Sequence, residues 1–309
     1  MALGVEGVKV GCYTDEANRT GCTVIIPPLH TLGVAAVRGG APGTREAAAL
    51  GPTGAVNECH AVVLCGNSVF GLSAADGVVG WCSAHGLGLE MEVATVPVVG
   101  AAVVFDLKSK DHQRLTREAG WAACAAATEA DPPMGLAGVG TGCTAGKAAG
   151  REHAVPGGQG WAVARSGAVV VGALMAVNPV GDVIDEQGRV LAGCTAPPDA
   201  PRYPYATLSA IRGWNDAAAD AAAARSNTTI GCLVTNATLS KPDACRAADL
   251  AHTGIARAID PPHTNLDGDA LFLLCTGQEP SHVDLVAALG ARAVAEAIRA
   301  AVSPARRLG

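Results

Sequence analysis

Aromatic side chains are scarce: Phe, Tyr and Trp together make up 3% of the 309 residues. Apolar residues nonetheless reach 49%, so the core must be filled with Ala, Val, Leu and Ile. Positive charge is not in excess either. With 22 Lys and Arg against 28 Asp and Glu the formal charge is −6, which argues against a nucleic-acid partner, because that needs a basic face. No polybasic cluster marks attachment to a membrane surface. The longest apolar runs, such as 168–177, fall far short of the ~20 residues that span a bilayer. The opening M-A-L-G-V-E-G-V-K-V lacks a charged segment followed by an apolar one, so no signal peptide is expected. These absences set the expectation of a cytoplasmic protein.

Eleven cysteines are scattered singly, none with C-x-x-C spacing, and their number is odd. They read as reduced core residues rather than as a disulfide framework or a metal site. The glycine-rich run 138–147, G-V-G-T-G-C-T-A-G-K, does not meet the phosphate-loop pattern. That pattern needs glycine where Thr141 stands and serine or threonine where Ala148 stands. No metal or organic cofactor is therefore expected. The loop can still bring backbone amides and one lysine, Lys147, close to a small anionic centre; taken alone, Lys147 reads better as a solvated loop lysine.

What the chain does have is glycine, 39 of them, and long aliphatic runs. Residues 93–107, V-A-T-V-P-V-V-G-A-A-V-V-F-D-L, and 167–178, G-A-V-V-V-G-A-L-M-A-V-N, read as strands buried on both faces. The first should bend near Pro97; the second ends in the polar Asn178 at its rim, where an enzyme would place an amide donor. Residues 65–78 read as strand, turn and helix, with Asn67 and Ser68 at the cap. Helices are expected over 113–130, 215–224, 243–259 and 283–301, and a hairpin over 183–193 that turns at Glu186-Gln187-Gly188. An exposed proline-rich connection covers 195–206. His112, in a polar turn, reads as a solvated surface residue.

Two stretches carry chemistry. R-S-N-T-T-I-G at 225–231 joins an alanine-rich segment to a β-type run. On its own it is ordinary turn and strand chemistry. Yet a threonine at that junction has a hydroxyl, and cutting the bond before it would add a free α-amine, giving nucleophile and base in one residue. The second stretch, H-T-N-L-D-G-D at 263–269, sets Asp267 and Asp269 at the mouth of a buried strand. If the strand begins there, a period of two lets both point to one face. Two close carboxylates do not both ionise cheaply, so one is expected to hold a proton near neutrality.

Several long motifs in order resemble one family over almost the whole chain. They are T-G-C-T-V near residue 20, R-G-G-A-P-G-T-R-E at 38–46, the strand-turn at 65–78 and V-P-V-V-G-A-A-V-V-F-D-L at 96–107. G-V-G-T-G-C-T-A-G-K, A-L-M-A-V-N, N-T-T-I-G and H-T-N-L-D-G-D follow. The family is the self-cleaving L-aminopeptidase/D-esterase type, which includes β-aminopeptidases, the nylon-oligomer hydrolase and a pantetheine hydrolase. The resemblance implies an α/β fold: a four-layer α/β/β/α sandwich like that of N-terminal-nucleophile hydrolases. It implies one domain over 1–309 that cuts itself at Asn227–Thr228 into 1–227 and 228–309. The two pieces would stay associated and assemble as a tetramer of α/β pairs.

The threonine branch of the family places the nucleophile on Thr228, the carboxylate pair on Asp267 and Asp269, the lysine on Lys147 and the asparagine on Asn178. A tyrosine that some members use near the oxyanion falls close to Phe105, which has no hydroxyl, so Asn178 and backbone amides would take that part. The activity implied is hydrolysis of a small amide or short peptide through an acyl-enzyme on Thr228. Acyl transfer of the ornithine-acetyltransferase kind and a non-catalytic scaffold are the alternatives; the presence of all five residues argues against the scaffold.

Overall fold

The run at 167–178 forms a ten-residue strand, Val169–Asn178, with every residue buried. Val171, Ala173, Met175 and Val177 face one apolar cluster and Val170, Leu174 and Ala176 another, as side chains that alternate along a strand must. The computed structural model describes residues 1–109, 111–200 and 227–303. The helix expected over 215–224, the Arg225-Ser226 step and part of the proline-rich connection lie outside these residues.

The strands of the two main sheets are β1 (Lys9–Asp15), β2 (Thr20–Ile26), β3 (Leu32–Val37), β4 (Thr44–Arg45), β5 (Ala61–Cys65), β6 (Val99–Val103), β7 (Gly158–Ser166), β8 (Val169–Asn178), β9 (Thr228–Thr238) and β10 (Ala270–Pro280). The first sheet runs in the order β1-β2-β5-β6-β4 and the second β7-β8-β9-β10-β3. Pairing is antiparallel except for one parallel pair in each, β5 with β6 and β9 with β10. Parallel neighbours need a crossover rather than a hairpin. Helix α1 (Leu72–Ala84) lies on the first crossover, and α3 (Lys241–Ala251) with α4 (Thr253–Ala256) on the second; α2 (Arg117–Ala125) and α5 (Val283–Val302) are the other α-helices among the described residues.

Three apolar clusters define the layers. Ile25, Val62 and Leu64 of the first sheet meet Leu174, Ile230 and Phe272 of the second between the two sheets. The outer face of the first sheet, with Val24, Val63 and Val99, packs on Ala74 and Val78 of α1 and Ala119 and Ala123 of α2. The outer face of the second, with Leu233, Leu271 and Leu273, packs on Ala248 of α3 and on Val294 and Ile298 of α5. The result is an α/β/β/α sandwich. Small residues permit the close helix contacts that a chain poor in aromatics requires: a Cβ on Gly77 would stand 1.7 Å from the carbonyl oxygen of Arg117, and one on Gly120 1.9 Å from that of Ala74. Helix α3 begins at Ser240, whose hydroxyl accepts from the Asp243 amide, and α5 buries Val286, Leu289, Val294 and Ile298, each contributing roughly 1.5–3 kcal/mol of burial.

Four expectations change. The run 93–107 is not one strand. Ala94–Val96 pairs with Leu89–Met91 in a hairpin that leaves Val93 94% exposed, and β6 starts only after Pro97, which has no N–H to give a ladder. The helix expected over 113–130 is limited to Arg117–Ala125, and that over 243–259 divides into α3 and α4. His112 is buried rather than solvated: its Nε2 lies 3.1 Å from Asn67 Nδ2, and Asn67 Oδ1 accepts from the Leu115 amide at 2.6 Å. Asn67 thus pulls the polar turn inward.

Candidate active site

Sheet order brings the chemistry together. Because β8 is antiparallel to β9, the end of one lies beside the start of the other, and Asn178 is the cross-strand partner of Thr228. Because β10 is parallel to β9, its start lies at the same edge; Ile230 pairs with Ala270 and Asn227 bridges to Asp267. Thr228, Asn178, Asp267 and Asp269 therefore meet at one end of the second sheet. All four are buried. Lys147 reaches the same point from the glycine-rich loop, which is held alongside by the bonds from Lys147 N to Val180 O, 2.8 Å, and from Gly146 N to Gly181 O, 3.0 Å.

Lys147 is buried, not solvated. Its ammonium donates to Asn178 O and Oδ1, each at 2.8 Å, and to Thr144 O at 3.0 Å. Burial pushes its pKa down to about 7, against the pull of Cys143 and Asp267. Asn178 Oδ1 also accepts from the Thr144 amide at 2.9 Å, and Asn178 Nδ2 donates to Phe105 O at 3.2 Å. The amide oxygen thus fixes the lysine while the amide nitrogen lies towards Phe105.

The carboxylates are held separately. Asp267 Oδ1 accepts from the Val180 amide at 3.2 Å and Oδ2 from the amide and hydroxyl of Thr264. Burial, and then the charge of Asp269, raises the pKa of Asp267 to about 6. Asp269 Oδ1 accepts from the Thr229 amide at 2.6 Å, and Oδ2 from His263 through its amide at 3.2 Å and its Nδ1 at 2.8 Å. The R-G-G-A loop seals the turn: Arg38 N and Gly39 N donate to Asp269 O, and Ala41 N to Asp267 O.

The hydroxyl of Thr228 lies against the carbonyl oxygen of Asn227. The same carbonyl accepts from the Gly268 amide at 3.2 Å. Beside them is a cavity of about 180 Å³ walled by Pro42, Gly43, Ser68, Val69, Val103, Phe105 and Leu266. The five residues singled out from the sequence are brought together. His263, Thr264 and Gly268 were not singled out, although all three belong to the same H-T-N-L-D-G-D stretch. Gly268 acts through its backbone, which side-chain chemistry does not reveal; His263 stands six residues from the carboxylate it holds and only the fold of the turn shows it. Among the described residues no group of three or more His, Cys, Asp or Glu could hold a metal ion, and no helix is long and apolar enough to cross a membrane.

The model of peptidase family S58 matches residues 3–309. The chain belongs to peptidase family S58. An uncharacterized aminopeptidase of Mycobacterium tuberculosis (strain ATCC 25618 / H37Rv) is 41% identical over 293 residues, covering 88% of this chain and 80% of that protein. The 6-aminohexanoate-oligomer endohydrolase of Agromyces sp. is 31% identical over 283 residues, covering 90% of this chain and 75% of its own length. Among solved structures, the L-aminopeptidase D-Ala-esterase/amidase of Ochrobactrum anthropi, described as a variant of the Ntn hydrolase fold, superposes with a TM-score of 0.70 at 19% identity over 97% of this chain and 84% of that one. The Burkholderia sp. beta-aminopeptidase gives a TM-score of 0.72 at 20% identity, over 97% and 85%. The S58 chain described here is thus an amide-bond hydrolase on an N-terminal-nucleophile-hydrolase fold.

Proposed function

We propose that this S58 hydrolase matures by cutting its own Asn227–Thr228 bond and then hydrolyses small amides or short peptides through an acyl-enzyme on Thr228. The observation that carries the reading is the position of the Thr228 hydroxyl against the carbonyl of the residue before it, with the Gly268 amide 3.2 Å from the same oxygen. In the first step Thr228 Oγ adds to the Asn227 carbonyl carbon, and the oxyanion that forms receives the Gly268 N–H. The C–N bond then breaks, the proton lost from the hydroxyl passes to the departing nitrogen, and residue 227 is left as an ester on Thr228. Water adds to that ester, releasing the Asn227 carboxylate and the Thr228 hydroxyl beside the α-amine freed when the C–N bond broke.

In the mature enzyme the α-amine, with a reference pKa of ~7.7–8.0, takes the hydroxyl proton during attack on a substrate carbonyl. Asp267 and Asp269 orient the start of β9. Lys147, whenever charged, opposes protonation of the nearby α-amine. Asn178 offers its amide to the substrate oxyanion. The cavity beside Thr228, about 180 Å³, suits a small acyl group, in keeping with relatives named aminopeptidase and 6-aminohexanoate-oligomer endohydrolase.

The test is the intact mass of the purified chain under denaturing conditions. Two species matching 1–227 and 228–309, with threonine at the new N-terminus, are expected, and Thr228→Ala should give one uncut, inactive chain. An uncut wild-type chain that hydrolyses amides, or an active Thr228→Ala variant, would sink the assignment.

A further inference from the structure

We infer that His263 is a positioning residue for self-cleavage: its ring and its own backbone amide together hold Asp269 in the orientation from which Asp269 fixes the start of β9. This rests on the self-cleavage reading above and extends it to a residue outside the nucleophile, lysine, asparagine and carboxylate set.

Four features converge on His263. Its backbone sits at φ 50°, the left-handed region, which a histidine enters only at a cost of roughly 1–2 kcal/mol. That conformation turns its amide and its ring onto one oxygen, Asp269 Oδ2, at 3.2 and 2.8 Å. The other oxygen of Asp269 accepts from the Thr229 amide at 2.6 Å. The carboxylate is thus a rigid link from His263 to the residue after the nucleophile. Finally, the next residue does the same for the other acid: the amide and hydroxyl of Thr264 both donate to Asp267 Oδ2. The H-T pair serves the D-G-D pair one to one, backbone and side chain together, and between the two acids lies the Gly268 amide that contacts the Asn227 carbonyl.

The ring's role fixes its protonation pattern. Nδ1 must carry a proton to donate to a carboxylate that already accepts the backbone amide. The neighbouring His252, buried and edge-on at 5.0 Å between ring centroids, has its pKa lowered to about 4 by burial, so it is neutral at neutral pH. His263 is partly exposed, its side chain 19% accessible, so its substitution need not collapse the core.

Substitutions separate the ring from the backbone. An asparagine places its side-chain N–H near the position of Nδ1 and tolerates the left-handed region; glutamine places its amide further out; glycine keeps the backbone and removes the ring. Self-cleavage is timed by pulse-labelled cell-free synthesis of the full chain, followed by denaturing separation of 1–227 from 228–309. Melting temperatures are compared in the uncut Thr228→Ala background. The expected result is slowing by about 10–100-fold, the range seen when a partner that orients a metal ligand is lost, for H263A, H263Q and H263G. H263N should restore the rate to within a few-fold of wild type, with all four variants folded at the assay temperature. Wild-type rates in H263G or H263A would overturn the role of the ring, as would failure of a folded H263N to recover. A wild-type chain that stays uncut would instead overturn the self-cleavage reading beneath it, whatever the His263 variants do.

Discussion

The amide of Gly268 donates to the carbonyl oxygen of Asn227 at 3.2 Å, so the turn between two buried carboxylates grips the peptide that precedes Thr228. Gly268 has no side chain to clash: a Cβ there would lie 2.7 Å from Ala41 O and 3.0 Å from Thr228 Oγ1. Gly268→Ala must push the turn away from the Asn227 carbonyl or displace the Thr228 hydroxyl, so it disturbs the cleavage geometry without deleting any catalytic side chain. Loss of one oxyanion donor typically costs on the order of 10²–10³ in rate, and self-cleavage of Gly268→Ala should slow by about 10², read as the half-time for appearance of 228–309.

The acid side of the pH profile belongs to Asp267. Its pKa is raised to about 6 by burial and by the charge of Asp269. The amides of Val180 and Thr264 and the Thr264 hydroxyl all donate to it, the arrangement that an ionised carboxylate fills. As pH falls through about 6 the group takes a proton and gives up part of that hold. Self-cleavage and amide hydrolysis should both decline below pH 6, and initial rates of Asp267→Asn should be low and lack that limb.

Lys147 governs stability on the other side. Burial lowers its pKa from 10.5 in a free chain to about 7. Between those values the unfolded chain binds a proton that the folded chain does not, so stability rises with pH through this window. Denaturant unfolding from pH 7 to 8.5 should show Thr228→Ala gaining stability relative to the Thr228→Ala/Lys147→Met double variant. Burial keeps the folded thiols protonated, pushing Cys59 up to about 11 and raising Cys143 as well, while thiols of the unfolded chain begin to ionise; that lowers stability alike in both variants and cancels in the difference.

The inter-sheet core is built around Phe272. It is 1% exposed and the largest of the fully buried side chains among the described residues. It lies between the sheets close to Gly100, where an added Cβ would meet its ring at 2.8 Å. Phe272→Ala should cost about 3–5 kcal/mol of unfolding free energy, with the five site residues unchanged. Chemical denaturation gives the value.

A strand buried on both faces was legible where its aliphatic run has no polar interruption: β8 begins within two residues of the start of the run at 167–178 and ends where that run does. The amphipathic α5 was legible for the same reason with a longer period. The run at 93–107 misled, since apolar content alone cannot tell a core strand from an exposed hairpin, and Pro97 separates the two. His112 was misplaced because its polar neighbours say nothing of Asn67, 45 residues away, which draws it inward.

The sequence by itself determined the residue types of the site and their order along the chain: a threonine at a strand start, a lysine in a glycine-rich loop, an asparagine at a strand end and two acids around a glycine. Those are local facts, written in short motifs. Only the tertiary structure decided that they meet, because meeting depends on β8 running antiparallel and β10 parallel to β9. It also decided which donors hold each acid, that Lys147 is buried enough to lose its charge near neutrality, and that the Gly268 amide reaches the Asn227 carbonyl. Hydrogen bonds and desolvation are set by distances across the fold, and no motif carries those.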